Sequence, residues 1–222
     1  MNSHHTHQHW LQRWHDNAIG WHHEEFNPYL LRFWQRLQVS DAARVLVPLC
    51  GKSCDMVWLA EAGHSVLGVE LSPAAAAAFF SDQGLAPQRE PLGRFERWYA
   101  GPYAILCGDV FHLQAEQVAD VGAVYERASL VAMTPDQRAH YARLLAHILR
   151  RGCPLLLIAM DYPQREMTGP PYSVTEQEVE RLFSAAFEWT LGHSEDLLKE
   201  TDRYSGRGLS HLLEQVYLMR RR

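Results

Sequence analysis

The stretch that decides the fold is Arg44-Val45-Leu46-Val47-Pro48-Leu49-Cys50-Gly51-Lys52-Ser53. Arg44 to Val47 reads as a short buried strand, and Pro48 to Ser53 as a turn. A helix with Met56, Leu59 and Ala60 on one side is expected next. A second strand follows over His64–Glu70, and Ser72-Pro73 starts a second helix, serine capping and proline at its first position. The run Ala74–Ala78 is a strong helix former.

Working outward, strand and helix patterns keep alternating. Tyr103–Cys107 reads as a third strand, and a fourth ends near Val124-Tyr125. Thr134-Pro135-Asp136-Gln137 is a capping box that opens a helix with Tyr141, Leu144, Leu145 and Ile148 on one face, ended by Gly152. Leu155–Met160 is a continuous apolar strand. Thr175 and Glu178 form another capping box, and Glu188–Leu191 and Leu212–Leu218 read as last strands. Residues 85–102 are rich in Pro, Gly and Arg and read as an insertion or a loop with short strands. Toward the N-terminus, Asn27-Pro28 starts a helix with Leu30, Leu31, Trp34 and Leu37 on its apolar face. Alternation of this kind predicts an α/β fold with a mostly parallel sheet and helices on both faces.

The 222 residues suffice for one domain, expected to span 1–222, with 47% hydrophobic and 21% charged residues. A net charge of −5 argues against nucleic acid as partner. Arg220-Arg221-Arg222 reads as a solvated tail end. No apolar run reaches the roughly 20 residues of a membrane span, and the N-terminus lacks a signal core. A cytoplasmic, monomeric protein with reduced cysteines is expected. Cys50 and Cys54 do not have zinc-finger spacing, so no metal is expected. His4, His5, His7 and His9 read as a disordered tail, and Trp10 and Trp14 lie one helical turn apart.

In such sheets ligands bind beyond the C-terminal strand ends. Gly51 lets backbone approach a ligand, and the following helix start suits an anion such as an amino-acid carboxylate. Glu70, with Leu71 beside it, lies 19 residues on, near the offset at which a carboxylate receives ribose hydroxyls. Asp109, after the third strand, is placed to meet an adenine edge. The turn has one glycine where pyrophosphate binding wants three, and Gly51-Lys52-Ser53 lacks the upstream glycine of a phosphate-binding loop. A nucleoside without phosphates fits better, and S-adenosylmethionine is the common one. On these residues alone a second reading stays open: Glu70 caps the next helix and Gly51 only makes a turn.

The chain resembles the thiopurine S-methyltransferase family, in its short bacterial branch. The matching pieces are Trp10-x3-Trp14, Ile19-Gly20-Trp21-His22, Val47–Ser53 with Asp55-Met56, Gly63-His64-Ser65-Val66-x-Gly68-Val69-Glu70, Tyr125–Ala132 and Gly169-Pro170-Pro171-Tyr172. The resemblance implies a class I S-adenosylmethionine-dependent methyltransferase fold, Rossmann-like, with seven strands and the last antiparallel. It implies that Trp14, Leu49, Glu70 and Arg127 bind the cofactor, that Trp10 and Trp21 cover it, and that residues 1–40 form a helical lid. It places Arg127 and Arg203 near the acceptor. Gly169-Pro170-Pro171 itself reads as a stiff turn that either walls the acceptor pocket with Pro170 and Pro171 or is plain loop geometry, and Asp161-Tyr162, just after the fifth strand, is expected to face the same pocket. The family usually has Asp-Arg where this chain has Glu126-Arg127. The implied reaction is methyl transfer to a small-molecule thiol. The rivals are selenium or tellurium species or small thiols as acceptors, and a nucleoside-binding protein without turnover.

Overall fold

The computed structural model describes residues 3–20, 22–200 and 208–222, and the side chains of all of these except 3–6, 199 and 200. In chain order the elements are α1 (Ser3–His15), α2 (Pro28–Phe33), β1 (Arg44–Pro48), α3 (Asp55–Glu61), β2 (Ser65–Glu70), α4 (Pro73–Asp82), β3 (Gln88–Leu92), β4 (Phe95–Ala100), β5 (Tyr103–Cys107), β6 (Val121–Arg127), α5 (Pro135–Ile148), β7 (Pro154–Asp161), α6 (Glu176–Phe183), β8 (Phe187–Asp196), α7 (Leu197–Glu200) and β9 (Leu213–Arg221). They fall into two compact units, one of residues 1–28 and 40–113, the other of 29–39 and 114–222. The 1–40 segment is therefore shared between the units.

In the first unit the strand order is β3-β4-β5-β2-β1. β1, β2 and β5 run parallel, with Val45 opposite Val66 and Leu67 opposite Ala104. Val45, Leu46, Val69 and Ile105 are wholly buried, as apolar strands covered on both faces require. The hydroxyl of Ser72 accepts from the Ala75 amide at 3.3 Å, so the expected cap of α4 is in place. The 85–102 stretch is a hairpin, β3 antiparallel to β4 and β4 antiparallel to β5. It adds two strands to the expected seven.

In the second unit the order is β6-β7-β9-β8. β6 and β7 are parallel, and β9 is antiparallel to both its neighbours. The expected last antiparallel strand is thus present. β6 runs on to Arg127, two residues past the expected end, because Glu126 and Arg127 pair with Leu157 and Ile158 of β7. Their polarity hides the strand from a reading by apolar pattern.

Gln137 accepts from the Thr134 amide at 3.0 Å, as its capping box requires. The second expected box is half made. Thr175 accepts from the Glu178 amide at 3.2 Å, but the Glu178 carboxylate goes to Arg138. α5 ends at Ile148, before Gly152, because Leu149 turns extended. Arg220 and Arg222 are exposed, as a solvated chain end requires, but Arg220 and Arg221 are also bonded to the fold. Arg221 donates to the carbonyls of Ala146 and Ala186, and Arg220 to those of Gly152 and Leu37. No helix among the described residues is long and apolar enough to cross a membrane.

Candidate active site

In the first unit the ends of β1 and β2 are stitched together by one side chain. Glu70 Oε2 accepts from the Gly51 amide at 2.8 Å, and Oε1 from the Ser72 amide at 2.7 Å. The Cys50 amide also donates to the Val69 carbonyl at 3.1 Å. The turn needs left-handed backbone at Leu49 (φ 46°) and Gly51 (φ 52°). For Leu49 that conformation costs roughly 1–2 kcal/mol, the kind of strain that clusters at ligand sites. At Gly68 an added Cβ would lie 2.6 Å from Cys50 Sγ, so the glycine makes room for the cysteine behind the turn. Burial pushes the Glu70 carboxyl up, and the amides of Ser72, Gly51 and Leu71 pull it back down. Glu70 therefore does what the second of the two readings expects. It fixes the turn and the start of α4, and each of its oxygens keeps a lone pair for a further donor.

The N-terminal residues form a helix rather than a disordered tail, since α1 starts at Ser3. Trp14 lies over the turn: a Cβ on Gly51 would stand 3.0 Å from its Cζ2. Trp10, half-buried, meets the His9 ring edge-on at 5.3 Å. Asp109 accepts from the Phe111 amide at 3.0 Å and lies 3.3 Å from His7 Nε2. Helix α1 thus reaches the ends of both β1 and β5. Lys52 is committed to Asp82 at 2.9 Å, which removes the cation a phosphate-binding loop would use. Leu71 is half-buried after Glu70. Trp21 and Arg203 lie outside the described residues.

In the second unit, Arg127 sits half-buried at the end of β6. Glu126 beside it is buried, accepts from the Leu130 amide at 3.0 Å, and is pushed up to about 8 by burial. Ala128 turns the chain left-handed at φ 70°. The Tyr172 amide donates to the Val131 carbonyl at 2.6 Å, so the Glu126–Ala132 and Gly169–Tyr172 segments meet. Pro170 and Pro171 are half-buried. Tyr162 donates from its hydroxyl to the Pro171 carbonyl at 2.6 Å, and Ser173 from its hydroxyl to Asp161 at 3.2 Å. Asp161 and Tyr162 therefore hold the Pro171–Ser173 stretch. Sequence reading missed Arg138, which joins these pieces. The signal was available: Arg138 falls on the same helical stripe as Tyr141, Leu145 and Ile148, where an arginine is out of place.

Burial raises the thiols of Cys50, Cys107 and Cys153, the last two to about 11, so all three are protonated at neutral pH. No group of three or more His, Cys, Asp or Glu side chains among the described residues is arranged to hold a metal ion.

Known proteins match this chain over nearly all of its length. The family described as thiopurine S-methyltransferase (TPMT) matches residues 5–222. A thiopurine S-methyltransferase of Nitrosospira multiformis is 47% identical over 212 residues, 96% of each chain. One of Pseudomonas putida (strain GB-1) is 46% identical over 214 residues, covering 96% of this chain and 98% of the relative. Among solved structures, a SAM-dependent methyltransferase from Anabaena variabilis superposes with a TM-score of 0.69 at 12% identity, covering 100% of this chain and 96% of the other. The 1,6-didemethyltoxoflavin-N1-methyltransferase of Burkholderia thailandensis, bound to S-adenosylhomocysteine, gives 0.63 at 18% identity, over 97% and 86%. With these matches, the chain belongs to the thiopurine S-methyltransferase family and has the class I fold of S-adenosylmethionine-dependent methyltransferases.

Proposed function

We propose that this chain transfers a methyl group from S-adenosylmethionine to the sulfur of a thiopurine-like aromatic or heterocyclic thiol, acting on small molecules as a cytoplasmic monomer. The observation that carries the cofactor half is the Glu70 carboxylate, buried at the end of β2 and bonded to Gly51. It offers acceptors to ribose hydroxyls, the turn offers backbone beside Leu49 and Gly51, and Lys52 is turned to Asp82 rather than to a phosphate. The residues present fit a phosphate-free nucleoside. In this reading Leu71 and Asp109 border the adenosine, and Trp10, Trp14 and Trp21 cover the cofactor, with α1 as the lid.

S-Adenosylmethionine supplies a methyl group already activated by a sulfonium charge. What the protein adds is alignment and exclusion of water, and tryptophan faces suit the cation. None of the assigned residues is a general base, so the acceptor reacts as an acidic thiol that has lost its proton to water. Arg127, with Arg203, stabilises the acceptor's anionic sulfur or a ring nitrogen beside it. Pro170 and Pro171 wall the acceptor.

The test is transfer of labelled methyl from S-adenosylmethionine to a panel of aromatic, heterocyclic and small thiols, with selenium and tellurium species as further arms. Turnover confined to the selenium or tellurium arms replaces the acceptor and keeps the enzyme class. Binding without any turnover leaves a nucleoside-binding protein. Glu70→Ala is expected to weaken cofactor binding at least tenfold by calorimetry, and wild-type affinity refutes the ribose assignment. Arg127→Ala is expected to lower kcat/KM for the thiol, and an unchanged value removes Arg127 from the acceptor side.

A further inference from the structure

Arg138 is one of the few charged side chains in the core, 1% exposed, and it sits on the buried stripe of α5. Its Nε donates to the Leu130 carbonyl at 2.9 Å. Its Nη1 donates to the Ser173 carbonyl at 2.8 Å and to Glu178 Oε2 at 2.7 Å. Nη2 is buried without a hydrogen-bond partner among the described residues. Its guanidinium carbon lies 6.0 Å from the Tyr172 ring centre. Leu130 is held from both ends, because Glu126 takes its amide at 3.0 Å while Arg138 takes its carbonyl.

A leucine or methionine would fill such a space without the desolvation that a buried guanidinium requires. What only arginine supplies is a rigid fork reaching two carbonyls on two different loops. One loop follows Arg127 directly. The other follows Pro170-Pro171. We propose that Arg138 is a positioning residue that fixes the Ala128–Ala132 turn and the Gly169–Ser173 segment against each other, and so sets the affinity for the acceptor. The second half of that statement rests on the proposed function, which puts both segments on the acceptor side.

Arg138→Lys keeps a cation for Glu178, but its single nitrogen cannot span both carbonyls. In the full-length chain, the variant is expected to raise the acceptor KM about tenfold or more. Cofactor Kd stays within about twofold of wild type. Glu178→Gln, which loses the ion pair and keeps both carbonyl bonds, is expected to leave the acceptor KM within about twofold. A folded Arg138→Lys with wild-type acceptor KM, or with KM and cofactor Kd shifted together, overturns the proposal. If Arg138→Lys does not fold, wild-type amide exchange decides. The Leu130 and Tyr172 amides should open as one unit, with rates within about twofold, and independent opening overturns the proposal. If the wild-type protein binds cofactor and methylates no thiol, the acceptor reading has failed by itself, and amide exchange alone then judges the clamp.

Discussion

Trp14 packs on Gly51 so closely that a Cβ there would require the indole to give way by a few tenths of an ångström. A Cβ on Gly51 would stand 3.0 Å from Cζ2 and 3.4 Å from Cη2 of the indole, and the backbone there is left-handed at φ 52°. Gly51→Ala therefore meets both backbone strain, on the order of 1–2 kcal/mol, and a displaced tryptophan. Expected are a lower Tm and a cofactor affinity reduced at least tenfold by calorimetry. Wild-type affinity in the folded variant removes Trp14 and Gly51 from the cofactor site.

Lys52 carries the opposite expectation. Its Nζ pairs with the half-exposed Asp82 at 2.9 Å on the surface of the first unit. An exposed pair contributes about 0–1 kcal/mol. Lys52→Ala should leave cofactor Kd unchanged and shift Tm by little. A marked loss of cofactor affinity means that Lys52 serves the ligand after all.

Glu126 makes a pH test. Burial raises its carboxyl from an ordinary 4.5 to about 8 in the folded chain. A raised carboxyl stabilises the fold as the neutral form. That contribution is whole below about 4.5, where both states are protonated, and is lost as pH climbs to about 8. Glu126→Gln is neutral throughout. Its Tm relative to wild type should hold constant in acid, gain steadily between these two pH values, and level off above. A difference that does not vary with pH means the carboxyl is ionised in the folded protein.

Arg221 ties the end of β9 to the last turn of α5 and to the α6–β8 connection, donating to Ala146 at 2.8 Å and to Ala186 at 2.9 Å. Charged hydrogen bonds of this kind contribute about 1–3 kcal/mol in total here. Arg221→Ala should lower the denaturation midpoint accordingly, with cofactor Kd unchanged. Weakened nucleic-acid binding in place of lost stability would make the arginines a patch.

Much of the fold was legible because its signals are local. Ser72-Pro73 and Thr134-Pro135 mark helix starts by caps that the structure contains. β1, β2 and β7 are apolar runs too short for helices. Glu70 was legible as the strand-end carboxylate, but its bond to Gly51 was not, since it closes over 19 residues through the parallel pairing of β1 and β2. The last two residues of β6 were hidden because Glu126 and Arg127 carry charge where a core strand carries none. The capping partner of Thr175 was misread for a related reason. Glu178 fits a local box, yet the buried Arg138, distant in sequence, holds its carboxylate more strongly than a backbone amide would. The C-terminal end is exposed at Arg220 and Arg222 as expected, but the carbonyls that Arg220 and Arg221 reach lie far off in sequence and left no local signal.

The placing of β9 also bears on the order of synthesis. Among the described residues, β8 has no strand partner except β9, and β7 meets β8 only through it. A nascent chain that has emerged through residue 196 thus carries β7 and β8 with a one-strand gap between them. Both edges around that gap are open to pairing with other chains until residues 213–221 leave the ribosome.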